Sequence, residues 1–520
     1  MPAWFFVAAT LLCLFSSGAH GAAERGQAVH VVVLVWDGMR PDLLTEKNAP
    51  TLFALAQSGV FFKRNHAAYP SSTNVNGAVL ATGVAPGHNG LVANQEFLPA
   101  IDPHKAFDTS DFPALDGPDP QVVAKLLAAP TIPEILQVAG HWTAVAGSKP
   151  VAQFFDRART RTSAAARKST VIYRGKVLPA EAGKQITAAL GRFPERKKFP
   201  NESEDDWTTH ALTNVLWREE VPKFSLLWLS EPDLTEHETA PGAPAALAAI
   251  RSSDQNLAKV LAALKAKNAL ASTDIFVVSD HGFSTVNRTV DVAAVLRAAG
   301  LNAVRSFAEK PKRGQILVVS IGGSVLFYVV EHEPELTKRL IDVLQRSDFA
   351  GVILTRDKHE GTFTLAQTQL NAPLAPDVIV ACHWDDRPNE FGIAGGMTSD
   401  VGRSVGHGSH STMSPHDLHN TLVASGPDFR RGWDDETPSG NIDLAPTILW
   451  LLGLKAPQPM DGRVLREALA DPVPVSAVEK TWEAKRNLDG RTWRQHLRTA
   501  TVDGVTYFLE GDGSSTPTPR

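Results

Sequence analysis

The stretch His30-Val-Val-Val-Leu-Val-Trp36-Asp37-Gly-Met-Arg40 decides the fold. An apolar run that breaks off on a carboxylate is the pattern of a strand buried on both faces in a parallel sheet. The same pattern recurs at Trp142–Ala146, Phe224–Leu229, Ile275–Val278, Val378–Ala381 and Leu422–Ala424. Helical patterns alternate with these runs. Leu247, Ile250, Leu257, Val260, Leu261 and Leu264 fall on one face of a helix that leads into the run at Ile275. The alternation predicts an α/β fold with a mostly parallel central sheet and helices on both faces.

The polar residues at the ends of these strands matter most. Asp37 follows the first, Asp233 the run at Phe224, and Asp280 with His281 the run at Ile275. In open parallel sheets the ligand crevice lies beyond the carboxyl ends of the strands. Three strands therefore deliver carboxylates and an imidazole to one rim. Each residue alone reads equally well as part of a turn; the convergence carries the argument.

At 520 residues the chain can bury a large core, in one elaborated domain or in two. A net charge of -5 leaves no basic footprint, so a polymeric nucleic acid is not an expected partner. A small anionic substrate stays compatible, because local charges and metals decide its binding. Trp4–Phe15 is an apolar run followed by small and polar residues, which predicts a signal peptide over residues 1–21 and a periplasmic or secreted protein. With Cys13 removed in that segment, Cys382 is the one remaining cysteine, so no internal disulfide is expected. No later segment reads as a membrane span. Residues 22–470 are expected to form the catalytic domain, with insertions at about 154–220 and 286–376 acting as cap segments. Residues 471–520 are expected to be a C-terminal extension, with a small hairpin through Leu497–Leu509 and disorder from Gly511 to Arg520. Ala100–Pro120, rich in Pro and Asp, reads as a loop.

Asp233-Leu-Thr-Glu-His237 places a carboxylate and an imidazole four apart, one face of a helix and a fit for one divalent metal. His410 lies in a loop of small residues, with His407 and His416 as competing ligands. Tyr69-Pro-Ser-Ser-Thr73 reads as a turn that opens a helix. A hydroxyl there either caps the helix or, activated by a metal, attacks an anionic centre that the helix amides favour. Ser71, Ser72 and Thr73 are equivalent by that argument.

Together these blocks resemble the alkaline phosphatase superfamily, and most closely its type I phosphodiesterase and nucleotide pyrophosphatase branch. The resemblance runs from about Val31 to Val464 and rests on the Asp37, Thr73, Asp233–His237, Asp280–His281 and His410 blocks, in that order, with a later Asn-Ile-Asp443-Leu-Ala-Pro block. It implies two zinc ions. Asp233, His237 and His410 would hold one, and Asp37, Asp280 and His281, with the Thr73 oxygen, the other. It implies Thr73 as nucleophile, a covalent phosphothreonine, and Asn94 as the donor to a phosphate oxygen. Small phosphate esters or nucleotides are the implied substrates. Two departures stand out: Ser411 follows His410 where the family carries glycine, and Val151 stands where an arginine would accompany a phosphate-contacting lysine. Lys149, in Gly-Ser-Lys149-Pro, nevertheless sits where monoester-preferring members carry that lysine. Three functions therefore compete: a phosphodiesterase, a phosphomonoesterase or phosphonate hydrolase using Lys149, and a non-catalytic metal-binding relative. A formylglycine sulfatase is excluded, because Asn74 and Val75 follow Thr73 and neither cysteine lies there.

Overall fold

The computed structural model describes residues 26–110, 127–157 and 161–517. The expected signal peptide and the 111–120 part of the expected loop lie outside these. Among the described residues, nine strands form the central sheet. Their order is Trp433–Asp435, Val60–Phe62, Leu422–Ser425, Thr273–Val278, His30–Trp36, Phe224–Leu229, Thr143–Gly147, Thr170–Tyr173 and Lys176–Leu178. From Thr273–Val278 to Thr170–Tyr173 the pairing is parallel throughout. Leu422–Ser425 and Lys176–Leu178 are antiparallel to their inner neighbours.

His30–Trp36 is apolar without alternation because both of its faces are covered. Val31, Val33 and Val35 pack with Val75 and Ala78 of the helix Thr73–Thr82 and with Ile448. Val32, Leu34 and Trp36 pack with Ile250, Leu257, Val260 and Leu264 of the helix Pro244–Ala266. Burying both sets of alternate side chains requires helices on both faces, the predicted layering.

Val378–Cys382 corrects the sequence reading. It is a buried strand, but it lies in a second, six-stranded sheet, antiparallel to Ser324–Val329 and Ala350–Thr355. A short apolar run looks the same whichever way its neighbours run. The stretch 154–220 contributes Thr170–Tyr173 and Lys176–Leu178 to the edge of the central sheet, followed by helices Ala180–Leu190 and Glu202–His210. Ser284–Val290 pairs with Gly396–Asp400 and Gly408–Ser409, which brings the loop before His410 over the sheet's rim.

The C-terminal region also departs from expectation. Ala477–Leu488, Arg491–Val502 and Val505–Pro517 form one antiparallel meander, so the backbone is ordered strand through Pro517. Residues from Gly511 on, expected to be disordered, lie in the last strand through Pro517. A side chain at Gly513 would collide with the Gly351 carbonyl and with Trp493. These glycines permit close approach to the strand Ala350–Thr355, where Gln495 bonds the Ile353 N–H at 2.8 Å and its carbonyl at 3.1 Å. Among the described residues, no helix is long and apolar enough to cross a membrane. Cys382 is a buried free thiol.

Candidate metal centre and active site

Register aligns the strand ends. Val35 pairs with Val278 and Trp36 with Leu229, so Asp37, Asp233 and Asp280 emerge at one level. Backbone and side-chain bonds then fix them. Asp37 accepts the Trp228 indole N–H at 2.8 Å, Asp280 accepts the Gly38 N–H at 3.0 Å, and the Asp233 N–H donates to the Asp37 carbonyl at 3.0 Å. Asp233 opens the helix Asp233–Glu238, which sets His237 one turn along on the same face, its Nε2 3.2 Å from Asp233 Oδ1.

Two overlapping clusters result: Asp233 with His237 and His410, and Asp37 with Asp233 and His281. Within each, the ligand atoms lie within 4.8 Å of one another. Asp233 belongs to both. Asp280 Oδ2 stands 3.4 Å from His281 Nε2, beside the second cluster. Each histidine is oriented by a carbonyl at Nδ1: Gly408 for His237 (3.0 Å), Gly282 for His281 (2.9 Å) and Ser71 for His410 (2.8 Å). Placing the proton on Nδ1 leaves the Nε2 lone pair facing the carboxylates, the arrangement of a metal-ligating imidazole.

The electrostatics agree. Burial holds His237 and His410 below the ordinary imidazole range, and for His410 the other two histidines add to the effect. Burial, then Asp280, raises Asp37. Burial would raise Asp233 too, but Lys149 and His237 outweigh it and hold the carboxyl well below the usual range. Three buried carboxylates meet one ammonium here, and Asp233 Oδ1 and Asp280 Oδ2 have no hydrogen-bond partner among the described residues. Buried, unpartnered carboxylate oxygens facing neutral imidazoles fit divalent cations, and an N/O donor set suits zinc.

The three hydroxyls that the sequence left equivalent differ in the structure. Ser71 Oγ donates to the Thr412 carbonyl at 3.1 Å, and Ser72 Oγ is buried without a partner among the described residues. Thr73, first residue of its helix, places Oγ1 3.2 Å from His281 Nε2 and 3.5 Å from Asp37 Oδ1, and it lines the cavity at this rim. Asn94 lines the same cavity. Its amide oxygen is engaged by the Asn74 N–H at 2.8 Å, which leaves Nδ2 as the donor toward the cavity. Lys149 Nζ lies between the clusters, 2.6 Å from Asp233 Oδ2 and 2.9 Å from Asp37 Oδ2. Burial alone would lower this ammonium; Asp233, Asp37 and Asp280 outweigh burial and raise it.

His407 stands outside both clusters, with Nδ1 3.3 Å from the His237 carbonyl, and His416 is paired with Asp386 at 2.9 Å. Ser411 adopts φ of 81°, the left-handed conformation that glycine takes freely. Asp417 ties that loop down, accepting from Thr412 N at 2.8 Å and Ser284 Oγ at 2.5 Å. One feature was missed from the sequence: a buried asparagine network beneath the site. Asn441 Nδ2 donates to the Asp280 carbonyl at 2.9 Å and to Asn76 Oδ1 at 3.2 Å, joining the Asp280 strand end to the Thr73 helix. Isolated asparagines carry no periodic signal; only their nearness to the Thr73 and Asp443 motifs marked them.

Comparison with known proteins gives the family and the fold. The family model for type I phosphodiesterase / nucleotide pyrophosphatase matches residues 31–387, and the chain belongs to that family. The venom phosphodiesterase of Macrovipera lebetinus is 22% identical over 281 residues, which is 53% of this chain and 28% of that protein. Venom phosphodiesterase 2 of Crotalus adamanteus is 22% identical over 278 residues, 52% of this chain and 29% of that protein. The chain thus spans less than a third of the length of these relatives. The solved structure of murine ectonucleotide pyrophosphatase / phosphodiesterase 5, an inactive variant in complex with AMP, shares the fold. Its TM-score is 0.59 at 18% identity, covering 85% of this chain and 100% of that one. Human ectonucleotide pyrophosphatase / phosphodiesterase 5 gives the same values.

Proposed function

We propose that this chain is an exported, metal-dependent phosphoric-ester hydrolase of the phosphodiesterase type, with Thr73 as nucleophile and a pair of zinc ions. The observation that carries the reading is Thr73 Oγ1, at a helix N-terminus facing the cavity, within 3.5 Å of both Asp37 and His281. Asp233, His237 and His410 would hold one cation, and Asp37, Asp280 and His281 the other. Bound there, divalent cations supply Lewis acidity that stabilises the attacking and leaving oxygens. The chain's own residues do the rest. The Thr73 hydroxyl has two acceptors for its proton, His281 Nε2 at 3.2 Å and Asp37 Oδ1 at 3.5 Å, and donating to either leaves a lone pair for phosphorus. Asn94 Nδ2 donates to a non-bridging oxygen. As the Thr73 oxygen bonds to phosphorus it gives up its proton, and the opposite ester bond breaks with its electron pair going to the leaving oxygen, which takes up a proton and departs as the alcohol. Water then cleaves the phosphothreonine, restoring the Thr73 hydroxyl and releasing the phosphate product. The apolar run Trp4–Phe15 supports export.

Lys149 favours a second reading, a phosphomonoesterase or phosphonate hydrolase, because its ammonium stands at the cavity wall where a dianionic phosphoryl group would gain from an added cation. Hydrolysis of a matched monoester and diester by zinc-loaded protein, with Thr73→Ala as control, tests both. Diester preference lost in Thr73→Ala is expected. Monoester preference would make Lys149 a substrate contact, and full activity of Thr73→Ala would exclude the nucleophile.

A further inference from the structure

The outer part of the cavity carries charge that the phosphoryl chemistry does not use. The cavity measures about 570 Å³, and Arg174, Arg196 and Arg403 line it along with Thr73, Asn94 and Lys149. The three arginines come from unrelated places. Arg174 sits in the turn between Thr170–Tyr173 and Lys176–Leu178, Arg196 in the loop behind helix Ala180–Leu190, and Arg403 in the loop after Gly396–Asp400. None pairs with a carboxylate among the described residues. The acidic residues on the wall are already engaged: Asp108 accepts from Ser110 Oγ at 2.7 Å, and Glu204 from Asn201 Nδ2 at 2.6 Å. Among the described residues, no Phe, Tyr or Trp lines the cavity. Outside that lining, the Arg196 guanidinium lies over the Phe199 ring, 5.2 Å from its centroid.

Among the described residues, a wall with three guanidinium groups that no carboxylate pairs and with no Phe, Tyr or Trp lining it is ill suited to holding a nucleobase, which binds by stacking. It suits an anion, because guanidinium forks match phosphate and carboxylate oxygens alike. We infer that this chain acts on phosphoric esters whose organic group carries a second anion, a phosphate or a carboxylate, gripped by Arg174, Arg196 and Arg403. The inference rests on the hydrolase reading above and narrows its substrate class.

The test uses three aryl phosphoric esters matched in leaving-group acidity, whose ring is neutral, carboxylate-bearing or phosphate-bearing. Zinc-loaded protein is compared with the triple variant Arg174→Gln, Arg196→Gln, Arg403→Gln. Arg174 and Arg196 are exposed, which limits the risk to folding. The anionic esters are expected to exceed the neutral one in kcat/KM by about tenfold, mainly through KM. That ratio should fall with added salt and collapse toward one in the triple variant. The two anionic arms rank phosphate against carboxylate. Equal kcat/KM on all three esters, or a ratio that survives in the triple variant, overturns the inference. Calorimetric titration of Thr73→Ala with para-hydroxybenzoate and para-hydroxyphenyl phosphate separates the two levels. Arginine-dependent binding without turnover of any ester by the wild type would sink the hydrolase reading and keep the anion site. Turnover without arginine-dependent binding would do the reverse.

Discussion

His281 and His410 stack face to face, ring centroids 3.8 Å apart and planes inclined by 19°. His281 follows the strand Thr273–Val278 and His410 the short strand Gly408–Ser409, and they belong to different carboxylate clusters, which are thus in direct contact. Carbonyls of Gly282 and Ser71 hold their Nδ1 atoms, which turns both Nε2 atoms toward the carboxylates. The stack is therefore consistent with both Nε2 atoms serving as ligands.

His410→Ala is expected to reduce zinc per chain, measured by elemental analysis after dialysis, because it removes one of three donors around Asp233. His407→Ala should leave zinc content at the wild-type value, since its ring lies outside both clusters. The opposite pair of results would reassign the ligand.

At Ser411 the backbone holds φ of 81°, while Oγ bonds His410 Nδ1 at 3.0 Å. Removing the side chain loses the bond; glycine also releases the strain. Ser411→Gly is expected to be more stable than Ser411→Ala by about 1 kcal/mol. Denaturant unfolding of the two variants reads that difference directly, and an alanine variant at least as stable as glycine would contradict it.

Asn441 sits at the centre of a buried network, accepting from Asn65 at 3.1 Å and Asn420 at 3.0 Å while donating to Asn76 and to the Asp280 carbonyl. Asn441→Ala strands several buried polar groups and should cost about 3 kcal/mol. The loss is measured by urea unfolding of metal-free protein, so that changes in zinc binding do not enter.

Asp274, second residue of the strand Thr273–Val278, lies beside Asp428, and burial, then Asp428, pushes its carboxyl up to about 9. A carboxyl raised on folding keeps a proton that the unfolded chain releases above about 4. Its stabilisation is therefore full at low pH, declines as pH rises toward about 9, and is flat beyond. Asp274→Asn should unfold with a shallower loss of stability between neutral and mildly alkaline pH than the wild type. Parallel curves would contradict the assignment.

The central sheet was legible because strands buried on both faces must be apolar and must end where the chain meets the rim. Asp37, Asp233 and Asp280 therefore announced themselves. Ser71, Ser72 and Thr73 did not separate, since only tertiary contacts with Thr412, His281 and Asp37 distinguish them. Val378–Cys382 gave no sign of its antiparallel partners, because direction leaves no trace in an apolar run. Arg174, Arg196 and Arg403 were invisible as a group: single arginines in three loops acquire meaning only when the fold brings them to one cavity. The last strand was hidden because a chain terminus reads as disordered unless tied down, and what ties this one down is its pairing with Arg491–Val502 and its packing on the strand Ala350–Thr355.

The central claim is that Thr73 forms the covalent intermediate, and acid-quenched turnover followed by mass spectrometry of the peptide spanning Tyr69–Thr82 tests it most directly. A phosphoryl adduct on Thr73 that builds during turnover and is absent in Thr73→Ala is the predicted result. An adduct on Ser71 or Ser72, or unimpaired turnover by Thr73→Ala, would contradict it.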